Sequence, residues 1–260
     1  MEKTRLKIGI FELTGCAGDA LLILDCESEL VNIFQAADIE AFLMAKSDNS
    51  HGPVDVALVE GSVTTEEERS ELLSIRERAG VVIAIGNCAC EGGIQAALTA
   101  AGTWKKEFRQ VYQDLKHTYV HPIPSQPIDA FIKVDYYLPG CPIGQEQFLT
   151  AFTRLLAGHP PELYRFPVCL ECKWHENDCL LNKNVACLGP LTKAGCGAVC
   201  PSHNLACVGC WGPTEEANRV SEFQLLLDKG FDLESIKRRM SIYAGTTITE
   251  FFRQLKAGRP

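Results

Sequence analysis

Short apolar segments alternate with helical patterns over the first 160 residues of the chain. Each apolar segment has the length and composition of a buried strand, and loops that contain glycine or proline separate the segments. The strands predicted in this way are 6–13, 39–44, 54–60, 81–85 and 134–138. The predicted helices include 20–36, 65–79 and 145–157. This alternation predicts an α/β domain with a mostly parallel sheet and helices on both of its faces.

Four chemically distinctive residues come at the ends of predicted strands, namely Cys16, Glu60, Cys88 and Cys141. The carboxyl ends of parallel strands meet at one edge of a sheet, and α/β proteins bind their ligands there. A second interpretation is that these cysteines are small core residues and the loops are only turns. Core cysteines would fall within the strands, so the pattern favours a site at this edge.

The segment 169–210 is dense in cysteine and is punctuated by glycine and proline. We therefore expect a backbone that turns repeatedly, with little regular structure. Aliphatic residues are few, so a covalent or metal-based link should replace an apolar core. The eight cysteines of the segment are Cys169, Cys172, Cys179, Cys187, Cys196, Cys200, Cys207 and Cys210.

Disulfides, zinc and iron–sulfur clusters could each provide that link. The first residues lack the pattern of a secretory leader, which indicates a reducing, cytoplasmic compartment and disfavours disulfides. One four-cysteine zinc site would leave four cysteines of the segment over. Two four-cysteine iron–sulfur clusters would use all eight, so the spacing favours iron.

Composition narrows the possible functions. Hydrophobic residues make up 46% of the chain, as in a globular protein, and no apolar run is long enough to span a bilayer. The net charge of -8 argues against nucleic acid as a partner, because phosphate recognition needs clustered lysine and arginine. Helical patterns return after the cysteine segment, at 215–229, 233–240 and 246–256.

Several short motifs together resemble one known family, the small electron-transferring subunit of nickel–iron hydrogenases, which is related to the 20 kDa subunit of respiratory complex I. The motifs lie at 14–19, 59–63, 86–89, 92–93, 139–142, 187–190 and 207–210. The phrases at 168–172 and 189–196 are most similar to the cytosolic subgroup of sulfhydrogenase delta subunits. The resemblance covers nearly the whole chain.

The resemblance implies a flavodoxin-like domain at 1–160 that holds a proximal 4Fe-4S cluster, with Cys16, Cys88 and Cys141 as ligands. Asp19 stands where the family usually has its fourth cysteine. A carboxylate oxygen would be a harder, weaker ligand than a thiolate. Asp19 could instead be a helix N-cap, and Cys90 is the second choice for the fourth ligand.

An iron–sulfur domain at 161–260 would hold the medial and distal 4Fe-4S clusters, three clusters in all. Sequence order suggests Cys169, Cys172, Cys179 and Cys187 for the distal cluster, and Cys196, Cys200, Cys207 and Cys210 for the medial one. Interleaved sets remain open. With eight thiolates available, His175 and His203 are expected to support or surround the clusters rather than bind them. Cys26 is expected to be a packed core thiol.

The resemblance also implies a function. The chain would relay single electrons between the Ni-Fe site of a hydrogenase large subunit and a further iron–sulfur or flavin subunit, and it would not act on hydrogen alone. Glu60 could relay protons near the proximal cluster, or loop amides could simply satisfy its carboxylate. The alternatives are a complex I-like subunit with one cluster, a relative whose partner lacks a working Ni-Fe site, and a zinc-stabilised interaction module.

Overall fold

The computed structural model describes residues 5–113, 121–161 and 164–256. These residues form two compact units, one of 5–90 with 121–161 and the other of 91–113 with 164–256. The sequence had assigned residues 91–113 to the first domain, whereas their contacts group them with the cysteine-rich unit. None of the described helices combines the length and hydrophobicity that crossing a bilayer requires.

The first unit is built on a sheet of five parallel strands in the order β2-β1-β3-β5-β7. This is the doubly wound order of flavodoxin-like folds, so the predicted fold class is confirmed. The strands are β1 Leu6–Glu12, β2 Ala37–Phe42, β3 Val54–Glu60, β5 Ala79–Ile85 and β7 Tyr136–Leu138. The first and third predicted strands match closely, whereas β2 and β5 begin two residues earlier than predicted and β7 begins two residues later.

Alternate residues of the strands pack into two separate clusters, as the two-residue period of a strand requires. Val56 and Leu58 of β3 join one cluster, and Ala57 and Val59 join the other. The first cluster also contains residues of the helices α1 Gly18–Leu24, α2 Glu27–Ala36 and α7 Gln145–Leu156. The second contains residues of α3 Glu66–Arg78 and α4 Gly86–Glu91. Helices therefore cover both faces of the sheet.

One local prediction for this unit was wrong. The helix predicted at 20–36 is two helices, because the chain breaks at Asp25 and Cys26 and both pieces bury residues in the same cluster. The sequence pattern also missed a strand, β6 Pro122–Gln126, which lies in a proline-rich segment and pairs antiparallel with β4 Val63–Thr65. Prolines are tolerated in it because a two-stranded sheet leaves every strand an open edge.

The second unit is mainly helical. Its helices are α5 Ala96–Ala100, α6 Trp104–Tyr112, α8 Val168–Trp174, α9 Val199–Ser202, α10 Arg219–Asp228, α11 Leu233–Ser241 and α12 Gly245–Lys256. The last three agree with the sequence pattern. The cysteine segment contains two short helices, α8 and α9, and it contributes Leu180, Leu188 and Leu191 to a core shared with α10, α11 and α12. The segment is therefore less dependent on metal for its packing than its composition suggested.

Candidate functional site

A candidate site lies at the carboxyl edge of the five-stranded sheet, where β1 and β3 form the point of reversed strand order that binds ligands in such folds. Cys16 follows β1, Cys88 lies in the short helix α4 after β5, and Cys141 follows β7. Burial raises the pKa of the Cys141 thiol, and the charges of Asp19 and Cys16 raise it further. The structure thus places Asp19 and Cys16 near Cys141 at this edge of the sheet.

Asp19 connects two of these loops. Its side chain is 8% exposed, and its Oδ1 accepts a hydrogen bond of 2.8 Å from Ile143 N–H, two residues after Cys141. Its carboxylate also packs against Gly86, which has a positive φ of 77° and no room for a Cβ. Burial raises the pKa of Asp19 to about 6, although the bond from Ile143 opposes the rise.

The helix N-cap considered for Asp19 is not its role, because Ala17 occupies the N-cap position of α1. Two other cysteines point elsewhere. Cys90 lies in the core cluster beneath the sheet, with its Sγ 3.6 Å from the carbonyl oxygen of Ala84. Cys26 is fully buried and donates to Leu22 O, as expected of a core thiol. Asp19 is therefore better placed than Cys90 among the loops of this site.

Glu60 ends β3 beside this site and is 2% exposed. Its Oε2 accepts a hydrogen bond of 2.6 Å from Ala20 N–H at the start of α1, so a helix amide engages this carboxylate. Burial raises the pKa of Glu60 to about 7, with smaller contributions from the charges of Asp19 and Glu12, while the bond from Ala20 opposes the rise.

Sequence reasoning missed Glu12, which lies directly opposite Glu60 in the β1–β3 register. Burial raises its pKa as well, and its Oε1 has no hydrogen-bond partner among the described residues. The signal was available, because both glutamates are the last residues of neighbouring parallel strands. Three carboxyl groups therefore meet at the switch point.

A second candidate site lies in the cysteine-rich unit. A cavity of about 110 Å³ is lined by four cysteines, Cys169, Cys172, Cys179 and Cys187. Burial raises the pKa of Cys169 to about 12, and the charges of the other three thiols add to the rise. These are the four residues that sequence order grouped together, and the structure brings them together.

This cavity suits a small inorganic group. Gly189 borders it, and a Cβ at that position would lie 3.3 Å from Cys169 Sγ and 3.5 Å from Cys187 Sγ. Four thiols around a small cavity are the donor set of a 4Fe-4S cluster.

The remaining four cysteines belong to the same unit. Burial raises the pKa of Cys207 to about 12, and the charges of Cys187 and Cys196 contribute to the rise. Cys207 N–H also donates to Cys187 Sγ at 3.3 Å, which joins the second cysteine group to the first. Cys200 lies on α9, and both Cys200 and Cys210 are half-buried.

The two histidines of this region, His175 and His203, are exposed. Across residues 5–113, 121–161 and 164–256, no three His, Cys, Asp or Glu side chains are arranged to hold one metal ion. A zinc site needs four ligands converging on one point. Four of the cysteines, Cys169, Cys172, Cys179 and Cys187, instead line one cavity.

Similar proteins are known by sequence. The family model described as NADH ubiquinone oxidoreductase, 20 Kd subunit matches residues 16–155. Sulfhydrogenase 2 subunit delta of Pyrococcus furiosus is 37% identical over 240 residues, which cover 92% of this chain and 99% of that protein. One subunit of the F420-non-reducing hydrogenase vhu of Methanocaldococcus jannaschii is 34% identical over 243 residues, which cover 82% of this chain and 83% of that protein.

Similar folds occur in solved structures. A chain of the NAD+-reducing NiFe-hydrogenase in the H2-reduced state matches with a TM-score of 0.56 and 27% identity, over 61% of this chain and 95% of that chain. A chain of the NiFeSe hydrogenase of Desulfovibrio vulgaris Hildenborough matches with a TM-score of 0.55 and 15% identity, over 83% and 96% of the two chains. The second likeness concerns the fold alone.

Proposed function

Because this chain belongs to the family of nickel–iron hydrogenase small subunits and the complex I 20 kDa subunit, we propose that it relays single electrons through three 4Fe-4S clusters. The observation that carries the proposal is the cavity lined by Cys169, Cys172, Cys179 and Cys187. Its four thiols match the ligand set of one such cluster.

Each proposed cluster has its own ligands. Cys16, Asp19, Cys88 and Cys141 would hold the proximal cluster, with Asp19 as the least usual ligand. Cys169, Cys172, Cys179 and Cys187 would hold the distal cluster, and Cys196, Cys200, Cys207 and Cys210 the medial one. The clusters supply sites that accept and release one electron at a time.

Neighbouring residues would orient the ligands of the proposed clusters. Gly189 leaves the space between Cys169 and Cys187 open, and Cys207 N–H donates to Cys187 Sγ. Hydrogen bonds to cluster sulfurs raise the reduction potential, because they stabilise added negative charge. We assign Glu60 a proton-relay role at the proximal site, since a pKa of about 7 lets its carboxyl bind and release a proton near neutral pH.

Our proposal places the chain in a complex. A large subunit would carry the Ni-Fe site and perform the hydrogen chemistry, and a further iron–sulfur or flavin subunit would exchange electrons with this chain. We place the chain in a reducing, cytoplasmic compartment, because cluster ligands must remain thiolates rather than form disulfides. Neither nucleic acid nor a membrane span is part of the proposal. The competing function is a redox subunit whose partner lacks a working Ni-Fe site, and the 20 kDa subunit named in the family description favours it.

Metal analysis of the purified complex tests the proposal. We expect about twelve irons and an equal amount of acid-labile sulfide in this chain, together with nickel in the co-purified large subunit. About four irons would favour the one-cluster, complex I-like function. A full iron content without nickel would favour the competing function. Zinc without sulfide would contradict every redox function considered for this chain.

A further inference from the structure

Glu171 is a buried carboxylate between the two cysteine groups of the second unit. It lies on α8, next to Cys172, and is 5% exposed. Its Oε1 accepts a hydrogen bond of 2.7 Å from Gly195 N–H, and its Oε2 accepts one of 3.3 Å from Ala198 N–H. Both oxygens are therefore engaged by the loop that carries Cys196.

The helix α8 presents its cysteines and its glutamate to different sides. Successive helical residues are rotated by about 100°, so Glu171 projects roughly 200° around the axis from Cys169. Cys169 and Cys172 line the cavity of the first cysteine group. Glu171 faces the loop of the second group, so this seven-residue helix contacts both groups.

The loop that Glu171 holds has an unfavourable backbone. Ala198, which is fully buried, has a φ of 49° in the left-handed region. A residue with a Cβ rarely adopts this conformation, and it persists only where surrounding contacts enforce it. Hydrogen bonds from amides to a carboxylate are stronger than bonds between neutral groups. The Glu171 carboxylate is therefore well suited to stabilise this loop.

The same carboxylate lies beside a candidate ligand. Its Oε2 is 3.9 Å from Cys196 Sγ. A thiolate at Cys196 would have a second negative charge next to it, in a place where burial weakens solvent screening. Adding an electron to a cluster held by that thiolate would become less favourable, because the added charge is repelled.

We propose that Glu171 is a positioning residue for electron transfer, which holds the Cys196 loop against α8 and lowers the reduction potential of the cluster that Cys196 binds. This inference rests on the proposed function, because it requires a cluster in the second cysteine group. Glu171 would then connect the ligand segments of two clusters, since it lies on the helix of Cys169 and Cys172 and binds the loop of Cys196.

The test uses the full chain, purified with its large subunit, as the wild type and as Glu171→Gln, Glu171→Asp and Glu176→Gln variants. Glutamine keeps the size of the side chain and removes its charge, and aspartate keeps the charge. Glu176 is an exposed glutamate just after α8 and serves as the matched control. Iron and sulfide are counted, and each cluster is titrated under electron paramagnetic resonance.

We expect Glu171→Gln to keep its iron and to raise the potential of one cluster. The expected rise corresponds to about a tenfold change in the ratio of reduced to oxidised cluster, or about 59 mV for one electron. The other two clusters of Glu171→Gln should keep wild-type potentials. All clusters of Glu171→Asp and of the Glu176→Gln control should keep them as well. Loss of one cluster in the glutamine variant alone, with wild-type behaviour of the aspartate variant, would also support the proposal, because the loop would then require the carboxylate.

Three results would overturn it. They are unchanged potentials in an intact Glu171→Gln variant, a similar shift in the Glu176→Gln control, and equal shifts or cluster loss in the glutamine and aspartate variants. Failure of the proposed function is recognised separately, because wild-type chain would then contain fewer than about twelve irons.

Discussion

Replacing Glu222 by glutamine should remove a pH-dependent loss of stability from the cysteine-rich unit. Glu222 lies on α10 and is 4% exposed, and its Oε1 has no hydrogen-bond partner in the part of the chain that the structure describes. Burial raises the pKa of Glu222 from 4.5 to about 7. The folded protein therefore binds this proton more tightly than the unfolded chain does.

The sign of the effect follows from the raised pKa. The stabilising contribution of the bound proton is complete below pH 4.5 and disappears as the pH rises to about 7. One pH unit corresponds to about 1.4 kcal/mol. The rise of the pKa of Glu222 from 4.5 to about 7 therefore lowers the free energy of unfolding of the wild type by roughly 3 kcal/mol above pH 7. Glutamine has no such proton, so the variant should not lose this stability at neutral pH.

The assay compares thermal unfolding midpoints of wild type and Glu222→Gln at about pH 5 and pH 8. One kcal/mol shifts the thermal midpoint of a protein of this size by about 2–4 °C. The midpoint of the variant relative to that of the wild type should therefore rise by roughly 6–12 °C from the lower to the higher pH. The control is Glu216→Gln, which changes an exposed glutamate shortly before the same helix. Equal pH dependence of the midpoint in wild type and Glu222→Gln would refute the reasoning.

Two further predictions concern the proximal site. Asp19→Cys should change the electron paramagnetic resonance signal of the proximal cluster, because a thiolate would replace a carboxylate oxygen, and an unchanged signal would count against carboxylate ligation. Gly86→Ala should remove about four irons from the protein, because its Cβ would meet the Asp19 carboxylate at a positive φ. Gly230→Ala is the matched control, since Gly230 has a φ of 85° and open space around it. Equal iron contents in the Gly86→Ala and Gly230→Ala variants would show that the proximal cluster does not need the close packing of Asp19 against Gly86.

The periodicity of the sequence predicted much of the fold. β1, β3 and β5 are mostly apolar, because strands buried on both faces need hydrophobic residues at most positions. α3 was predictable from its first turn, where Thr65 and Glu68 form a capping box. The placement of Cys16 and Cys141 at strand ends follows from chain order in a parallel sheet, and the structure agrees.

Other features depended on contacts that no local pattern encodes. The pairing of β6 with β4 joins segments far apart in sequence, and prolines hid the strand. For Asp19 the sequence left a helix N-cap open as an alternative to iron ligation, and only the folded structure shows that its hydrogen-bond partner is Ile143, which is distant in sequence. The short helix α8 was missed because its seven residues directly follow Pro167 and include Cys169 and Cys172, in a segment where turns were expected.

The α/β class, the strand-end cysteines and the grouping of Cys169, Cys172, Cys179 and Cys187 could all be predicted before folding is considered, because they follow from spacing along the chain. Which carboxylates the fold removes from water could not be predicted in this way. Glu12, Glu171 and Glu222 look like ordinary polar positions in sequence, yet Glu171 and Glu222 are buried, and burial raises the pKa of Glu12 and of Glu222. Burial and long-range hydrogen bonding depend on the packing of distant segments, and that packing exists only once the chain has folded.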